Sequence, residues 1–333
     1  KVMTISRPVT AAIVGLGRWG QNLVTASSGT NLNIVQGVTR TPAKVTEFAA
    51  QHGFSVSDDY DAMLSDPNIE AVVLATPHSQ HCAQICKASG TGKHIFVEKP
   101  LALSLSEAQD AVRSCNAHGV TLAVGFNRRF LPAYNALCTA HHSNTLGTAL
   151  HIDANFSGPF GYHYSADMWR GSSTENPAGG MAAMGIHMLD AMIHLLGPVR
   201  RVSALSSRRA VEASLDDTTN VQLEFECGAT GSLTTLMATQ INWRMQLFGA
   251  SGWAAMKDQQ SLEISLIDQE PTVSQHAAND TLADELSAFA GCIRGVGSFP
   301  VTDREALQGV AAMQAISRSA ASDGERVAVE PVT

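Results

Sequence analysis

Short apolar runs alternate with segments of helical periodicity over the first 125 residues of the chain. Five apolar runs predict strands, at residues 9–14, 33–39, 71–75, 94–97 and 121–125. The segments between them predict helices, at residues 19–27, 41–52, 60–64, 79–89 and 106–118. Strands that are apolar on both faces are typical of a parallel sheet covered by helices on each side. The pattern therefore predicts an α/β domain, a doubly wound parallel sheet of the Rossmann type, over residues 1–125.

The pattern changes in the rest of the chain. One long apolar helix is predicted at residues 179–196, and five strands follow it, at residues 200–207, 218–226, 230–240, 244–249 and 261–267. Consecutive strands without helices between them favour an antiparallel sheet, and Gly228 marks a tight hairpin. Two closing helices are predicted at residues 282–294 and 303–321. We therefore predict a second domain, over residues 126–333, of the α+β class with a mostly antiparallel sheet.

The composition narrows the class of protein. Charged residues make up 16% and apolar residues 44%, a balance typical of a compact enzyme and not of a disordered chain. The net charge of −8 argues against a nucleic-acid partner, because such proteins concentrate Lys and Arg on one face. There is no apolar run of about 18 residues and no signal-peptide core, and the cysteines lack the spacing of a zinc site. We expect a cytoplasmic protein that binds no membrane, nucleic acid or metal.

A glycine-rich loop, GLGRWG at residues 15–20, follows the first predicted strand and opens the first predicted helix. In this context Gly15 permits the tight turn, Gly17 lets the backbone approach a pyrophosphate, and Gly20 lets the helix pack on the strand. The free amides and the dipole of the helix then hold the phosphates. The loop predicts dinucleotide binding by Gly15, Gly17, Arg18, Trp19 and Gly20.

The end of the second predicted strand indicates which dinucleotide binds. An acidic residue at this place would hold the ribose 2′-hydroxyl of NAD, but the chain has Thr39 followed by Arg40. A hydroxyl and a guanidinium suit a 2′-phosphate, which arginine clamps through two hydrogen bonds, and Arg18 adds positive charge. We predict NADP in preference to NAD. The alternative is that Arg40 is a solvated surface residue.

Further motifs are spread over nearly the whole chain. They are ATPHSQH at residues 75–81, GKHIFVEKP at 92–100, NRRF at 127–130, WR at 169–170, GG at 179–180 and GIH at 185–187. Together they resemble the Gfo/Idh/MocA family, named for glucose-fructose oxidoreductase, inositol dehydrogenase and a rhizopine catabolism protein. The resemblance implies a large open sheet in the second domain, used to form a homodimer or homotetramer. It also implies a substrate that is a sugar, polyol, cyclitol or related hydroxyl compound.

The resemblance implies roles for individual residues. Lys99 corresponds to the lysine that lies beside the nicotinamide in this family, and His187 to the histidine on the helix after the glycine pair. The residues implied to line the cofactor are Thr76, Pro77, His78, His81, Glu98 and Lys99, with His78 in place of the usual asparagine.

Hydride transfer between an alcohol and a nicotinamide needs a proton acceptor and a positive group beside the reacting oxygen. We assign His187 as the acid or base and Lys99 as polariser and proton relay. The reverse assignment stays open, because burial can depress the pKa of a lysine.

One departure from the family concerns the substrate. The family commonly has an aspartate four residues before the histidine, on the same helix face, whereas this chain has Ala183. A methyl group leaves a larger and less polar corner, so we expect a bulkier or less hydroxylated substrate.

Several side chains are candidates for contacts with that substrate. Arg128, Arg129 and Arg170 raise the possibility of a carboxylate on the substrate, since guanidinium pairs with it in a planar fork; the alternative for Arg128 and Arg129 is a structural role. Asp190 either contacts substrate or belongs to a local network. The predicted substrate contacts are Arg128, Tyr162, Trp169, Arg170 and Asp190.

The leading hypothesis is an NADP-preferring oxidoreductase that interconverts a hydroxyl and a keto group on a small polar substrate, a class that includes carboxylated compounds. A second hypothesis is an enzyme that keeps its cofactor tightly bound, oxidises its substrate transiently and eliminates. A third is a non-catalytic NADP-binding regulatory protein, which Ala183 makes conceivable. The presence of both Lys99 and His187 favours chemistry.

Overall fold

The computed structural model describes residues 7–165 and 167–332, which form two compact units. The first unit comprises the described residues up to Asn127 together with Asp280–Asp303. The second comprises Arg128–Asn279 and the described residues from Arg304 onward. Residues 1–6, 166 and 333 of the two predicted domains lie outside the described residues. The domain boundary at residue 125 stays a prediction.

A six-stranded parallel sheet forms the centre of the first unit. Its strands are β1 (Val9–Val14), β2 (Leu32–Val38), β3 (Ser55–Ser57), β4 (Ala71–Leu74), β5 (His94–Glu98) and β6 (Leu122–Gly125). They lie in the order β3-β2-β1-β4-β5-β6, and every neighbouring pair is parallel. All four residues of β4 are fully buried, because helices cover both faces of the sheet. The doubly wound Rossmann sheet predicted from the apolar runs is therefore confirmed.

Five helices connect these strands. They are α1 (Arg18–Ser27), α2 (Thr46–His52), α3 (Tyr60–Ser65), α4 (His81–Gly90) and α5 (Leu105–His118). Residues at both ends of α5 cap that helix: at its start the Ser104 hydroxyl accepts the Glu107 N–H, and Gly119 ends it in the left-handed conformation. The order of the sheet reverses at β1, so the loop between β1 and α1 lies at the switch point where such folds bind ligands.

A nine-stranded sheet forms the centre of the second unit. Its strands are β7 (Ala149–Ser157), β8 (Val199–Ser207), β9 (Thr218–Phe225), β10 (Thr230–Leu236), β11 (Asn242–Gly249), β12 (Gly252–Met256), β13 (Ser261–Leu266), β14 (Thr272–Gln275) and β15 (Val327–Ala328). Their order is β14-β13-β12-β11-β7-β10-β9-β8-β15. Only the β7–β10 pairing is parallel. The mostly antiparallel sheet predicted from the sequence is confirmed.

The two faces of this sheet differ in polarity. Along β9, Val221, Leu223 and Phe225 are buried while Asn220 and Gln222 are exposed, and the same alternation runs through the neighbouring strands. One face is therefore apolar and covered, and the other is polar and accessible.

Helices of the second unit cover the apolar face. They include α6 (Pro132–His142) and α7 (Ile186–Leu196), and a π-helical segment at Met181–Gly185 leads directly into α7. The single helix predicted at residues 179–196 is thus a π-helical turn followed by an α-helix.

Two helices remain, α8 (Thr281–Ile293) and α9 (Asp303–Ala321). Helix α8 belongs to the first unit and packs on α1. The Asn127 amide donates a hydrogen bond of 2.9 Å to the Thr281 hydroxyl at the start of α8, and the Phe289 ring lies 5.8 Å from that of Phe96 on β5. No helix within the described ranges has the length and hydropathy to cross a membrane.

Candidate active site

The three glycines of the loop between β1 and α1 have three different surroundings. Gly15 has φ +92°, and a Cβ there would lie 2.5 Å from the Ala75 carbonyl oxygen. A Cβ on Gly20 would lie 1.9 Å from the Gly15 carbonyl oxygen, which no adjustment of a side chain relieves. By contrast, no heavy atom of the described chain lies within 4 Å of the place where a Cβ on Gly17 would stand. The loop is thus closed at its two ends and open at Gly17.

The start of α1 leaves backbone donors available. Gly17 is the N-cap and offers no side-chain acceptor, and the first turn has no acidic residue. The first hydrogen bond within the helix joins the Gln21 amide to the Gly17 carbonyl, so the amides of Arg18, Trp19 and Gly20 precede the helical ladder. Three amides at the positive end of a helix dipole suit a pyrophosphate.

The carboxyl end of β2 lies directly beside this loop, because the Gly15 amide donates to the Val38 carbonyl at 2.9 Å. Thr39 and Arg40 follow, and the Arg40 side chain is exposed. The Thr39 amide donates to the carbonyl of Ser57, whose buried hydroxyl has no hydrogen-bond partner among the described residues. Ser57 is a candidate cofactor residue that no motif in the sequence indicates, since only the pairing of β3 with β2 brings it here.

The loop after β4 carries Thr76, Pro77 and His78. The Ala75 amide donates to the Val14 carbonyl, so this loop also adjoins the glycine loop. Thr76 and His78 are buried, and the Thr76 hydroxyl donates to Gln84 Oε1 at 2.6 Å.

The Glu-Lys-Pro motif lies at the carboxyl end of β5. Glu98 is the last residue of the strand and is buried, and a Cβ on Gly125 would stand 3.1 Å from its Oε1, so the glycine leaves room for the carboxylate. Lys99 is half-buried and follows the strand at once. Since β4 and β5 are neighbours, Lys99 lies at the same edge of the sheet as Thr76. This edge brings together the predicted cofactor residues of the first unit.

His187 lies in the second unit on the first turn of α7 and is buried. Its ring centroid is 6.2 Å from that of Phe156 on β7, and the Arg128 guanidinium lies 5.8 Å from the same Phe156 ring. Arg128 also donates to Gln259 Oε1 at 3.1 Å. Of the predicted substrate residues, Arg128 is therefore brought into the neighbourhood of His187.

Glycines before His187 allow close packing of the π-helical segment. A Cβ on Gly179 would lie 2.0 Å from the Asp216 carbonyl oxygen, and one on Gly180 would lie 2.8 Å from Thr235 Oγ1. Ala183 lies within the π-helical turn, four residues before His187. Single π-helical turns often accompany functional sites.

Asp190 takes part in a local ion-pair network. Arg129 donates to both of its carboxylate oxygens, through Nε at 2.6 Å and Nη2 at 2.9 Å, and also to Glu305 on α9. Burial opposes the charge of Arg129, but Asp190 outweighs it and raises the pKa of the guanidinium. His194 Nδ1 lies 2.7 Å from Glu305. The network favours the structural alternative for Arg129 and the local-network alternative for Asp190.

The remaining predicted substrate residues lie in the loop between β7 and the π-helical segment. Tyr162 is 60% exposed, and its hydroxyl donates to the Ala238 carbonyl at 3.4 Å. The Arg170 guanidinium lies 4.1 Å from the ring centroid of Trp169, and the Asn176 amide donates to the Arg170 carbonyl. Across the described residues, no group of three or more His, Cys, Asp or Glu side chains has the arrangement of a metal site.

Family models match both units. Residues 9–126 match the model described as "Oxidoreductase family, NAD-binding Rossmann fold", and residues 134–255 match the GFO/IDH/MocA C-terminal domain. The chain belongs to the Gfo/Idh/MocA family. The resemblance stated from the motifs is thereby confirmed, and with it an oxidoreductase that has an NAD(P)-binding Rossmann domain.

Members of the Gfo/Idh/MocA family with named activities are similar to the chain. It is 26% identical over 226 residues to trans-1,2-dihydrobenzene-1,2-diol dehydrogenase of Sus scrofa, covering 68% of this chain and 66% of that one. It is 43% identical over 131 residues to scyllo-inositol 2-dehydrogenase (NAD(+)) of Bacillus subtilis, covering 38% of each chain. A crystal structure of a candidate NADPH-dependent oxidoreductase from Desulfitobacterium hafniense has a TM-score of 0.90 at 25% identity, covering 98% of this chain and 99% of that one.

Proposed function

We propose that the protein is an NADP-preferring oxidoreductase that interconverts a hydroxyl and a keto group on a small polar substrate. One observation carries the proposal: the glycine loop, the Thr39-Arg40 pair and Lys99 all follow strands at the carboxyl edge of one parallel sheet. In a doubly wound sheet this edge is where a dinucleotide binds. A nicotinamide bound there supplies the hydride acceptor or donor.

We assign Lys99 and His187 as the catalytic residues. The Lys99 ammonium would stabilise negative charge on the reacting oxygen, and His187 would accept the hydroxyl proton during oxidation and return it during reduction. Support comes from their settings: Lys99 directly follows a buried strand, and His187 lies on a helix whose residues are almost all buried. Both side chains are therefore carried by well-packed elements, which favours precise placement.

The preference for NADP rests on Arg40. The names of similar proteins do not decide the cofactor, since the scyllo-inositol enzyme is named for NAD(+) and the Desulfitobacterium structure for NADPH. In this chain the exposed guanidinium of Arg40 follows β2, next to the half-buried Thr39, at the place where NAD-dependent enzymes carry a carboxylate.

The test is steady-state kinetics with both cofactors on the wild type and on Arg40→Ala. Loss of a charge-assisted hydrogen bond to the 2′-phosphate should lower kcat/KM for NADPH about tenfold to a hundredfold and leave NADH nearly unaffected. Arg113→Ala, which removes an exposed arginine on α5, is the matched control. A tenfold preference of the wild type for NADH would overturn the proposal.

A cyclic diol or cyclitol is the substrate class that we propose first. The relatives named for trans-1,2-dihydrobenzene-1,2-diol and for scyllo-inositol act on six-membered carbocycles with adjacent hydroxyl groups. Ala183 lacks the carboxylate that would bind a second hydroxyl, which favours the less hydroxylated members of this class. Arg128, near His187 through Phe156, is the reason to include hydroxy acids.

A substrate screen followed by NADPH absorbance tests this class. The panel contains cyclic trans-diols, inositols, keto sugars and hydroxy acids at equal concentration. We expect the diols to give the highest kcat/KM. Turnover confined to hydroxy acids would replace the diol class, and NADPH binding without turnover on any compound would favour a regulatory role.

We also propose that the protein forms a homodimer or homotetramer through the polar face of the nine-stranded sheet. The face carries paired polar side chains, such as Arg244 with Asp153 at 3.1 Å and Ser232 with Asp153 at 2.7 Å, together with the ring of Phe248. Such a surface suits a hydrated interface with a small aromatic centre.

A further inference from the structure

His81 is a fully buried histidine at the first residue of α4. Both of its ring nitrogens lie at hydrogen-bond distance from backbone carbonyls. Nδ1 is 2.8 Å from the Pro100 oxygen, and Nε2 is 3.1 Å from the Thr76 oxygen. Because carbonyl oxygens only accept, a neutral ring donates to one of them and an imidazolium donates to both.

The two carbonyls belong to neighbouring loops. Thr76 follows β4, and Pro100 follows Lys99 at the end of β5. The ladder between these strands has its last registered pair at Leu74 and Val97, before either loop begins. The imidazole thus connects the loops after β4 and β5 at a point beyond the last registered pair of the two strands.

We propose that His81 is a positioning residue that fixes the Lys99 loop relative to the loop that holds the nicotinamide. The proposal rests on the proposed function, in which Lys99 is catalytic. His81 has no exposed surface, so in this proposal it acts through Thr76 and Pro100, and not by lining the cofactor as the family resemblance implies. A displacement of about 1 Å in a reacting group can lower turnover about a hundredfold, so a small shift of Lys99 is enough to matter.

Each nitrogen has a separate task in this proposal, which uses the imidazolium form of His81, because only that form donates to both carbonyls. The Nδ1 contact restrains the carbonyl next to Lys99 and therefore governs turnover. The Nε2 contact restrains Thr76, whose loop would line the nicotinamide, and therefore governs affinity for the cofactor. A role confined to stability would make no such distinction, because loss of packing affects both loops together.

Two conservative variants separate these tasks. The amide of His81→Asn reaches the place of Nδ1, and that of His81→Gln reaches the place of Nε2, so each retains one donor. Ser89→Ala is the matched control: it removes the hydroxyl of another fully buried residue of α4, one that contacts Ser114 at 2.7 Å, about two turns from the loops. The measurements are the melting temperature, the Kd for NADPH by fluorescence and kcat at saturating NADPH.

For His81→Gln we expect kcat to fall about tenfold to a hundredfold while the Kd for NADPH stays close to that of the wild type. For His81→Asn we expect the Kd to rise about threefold to tenfold with kcat nearly retained. His81→Ala should show both losses. If the Asn and Gln variants instead change kcat and Kd in parallel, or behave as Ser89→Ala does, His81 only stabilises the fold and the proposal is overturned.

The outcome for His81 can be told apart from failure of the proposed function. If the wild type binds NADPH but turns over no substrate, the catalytic assignment of Lys99 fails. The Kd values for NADPH still test the role of the contact between Nε2 and Thr76. Affinity that is retained in His81→Gln and reduced in His81→Asn supports this role, and equal affinities in the two variants overturn it. If His81→Ala does not fold, the Asn and Gln variants carry the comparison.

Discussion

Gly17 and Gly20 lie three residues apart, but a methyl group would have different effects at the two positions. We expect Gly17→Ala to melt close to the wild type, because nothing of the described chain lies within 4 Å of the new Cβ. It should still weaken NADPH binding by about tenfold or more, since the methyl group enters the space beside the pyrophosphate. We expect Gly20→Ala to be destabilised by about 3 kcal/mol or more, because its Cβ would overlap the Gly15 oxygen.

Thermal denaturation and fluorescence titration with NADPH measure the two effects. Each variant is the control for the other. Gly17→Ala should lose NADPH affinity and keep its stability, whereas Gly20→Ala should lose both. Normal NADPH affinity in Gly17→Ala would place the pyrophosphate elsewhere.

Lys99 is half-buried and directly follows strand β5. Replacement by methionine keeps the length of the side chain but removes the ammonium. We expect Lys99→Met to lower kcat about a hundredfold to ten-thousandfold, because the charge beside the reacting oxygen is lost, with the Kd for NADPH little changed. Lys87→Met, on the exposed face of α4, is the control. Turnover equal in both variants would exclude Lys99 from the mechanism.

Some residues of the candidate site can be identified from sequence motifs, and others cannot. The glycine loop, Thr39-Arg40, Lys99 and His187 can be named from their motifs, because each motif is local in the sequence. The setting of Ser57 cannot be predicted in this way, since it depends on the pairing of β3 with β2. The carbonyl partners of His81 are 5 and 19 residues away in the sequence, so its buried position emerges only in the folded chain.

At the scale of elements, α7 is held by charges along one side. Asp190 and His194 lie one turn apart on it, and both engage residues of a network that includes Arg129 and Glu305. Hydrogen bonds to Cys138 and then to Glu305 raise the pKa of His194 to about 9, against the opposing effects of burial and Arg129. The folded state therefore favours the protonated ring.

The free energy of unfolding should depend on pH through His194. A pKa raised above its unfolded value of 6.5 gives stabilisation that is complete below about pH 6.5 and is lost as the pH rises through about 9. The side chain is 32% exposed, so we expect about 1 to 3 kcal/mol. Urea unfolding of the wild type and of His194→Gln between about pH 6 and pH 10 measures it. An identical pH dependence in the two proteins would contradict the expectation.

Elements differ in how well their sequences predict them. Five of the six strands of the first sheet are predicted because they form apolar runs. Strand β3 (Ser55–Ser57) is not predicted, because it has three residues and two of them are serines. Strand β7 is missing from the sequence prediction although its sequence, ALHIDANFS, alternates between apolar and polar residues, as a strand with one buried face does. Helix α6, which precedes it, is likewise not predicted. The π-helical turn at Met181–Gly185 cannot be distinguished from an α-helix in the sequence. Its residues are all apolar or small, so no alternation of apolar and polar positions shows the number of residues per turn.

For the whole molecule, the polar face of the nine-stranded sheet should decide the state of association. Phe248 lies on that face, and we expect Phe248→Asp to weaken the proposed oligomer, because it places a charge at the aromatic centre of the interface. Ile267→Asp is the control, because Ile267 is 64% exposed but lies in the turn between β13 and β14, outside the strands of the sheet. Light scattering after size-exclusion chromatography reports the mass relative to the 35.2 kDa monomer. A wild type that is monomeric at all concentrations would refute the interface.

Helix α8 completes a unit that begins more than 250 residues earlier in the chain. During synthesis the ribosome must therefore make the whole nine-stranded sheet, except for β15, before the face of α1 that packs on α8 is covered. Apolar surface of the nascent cofactor domain stays accessible for that time, which is when chaperones bind and aggregation begins. A fragment ended before Asp280 would keep every strand of the parallel sheet and still lack part of its cover. Circular permutation that places α8 before β1 would remove the delay.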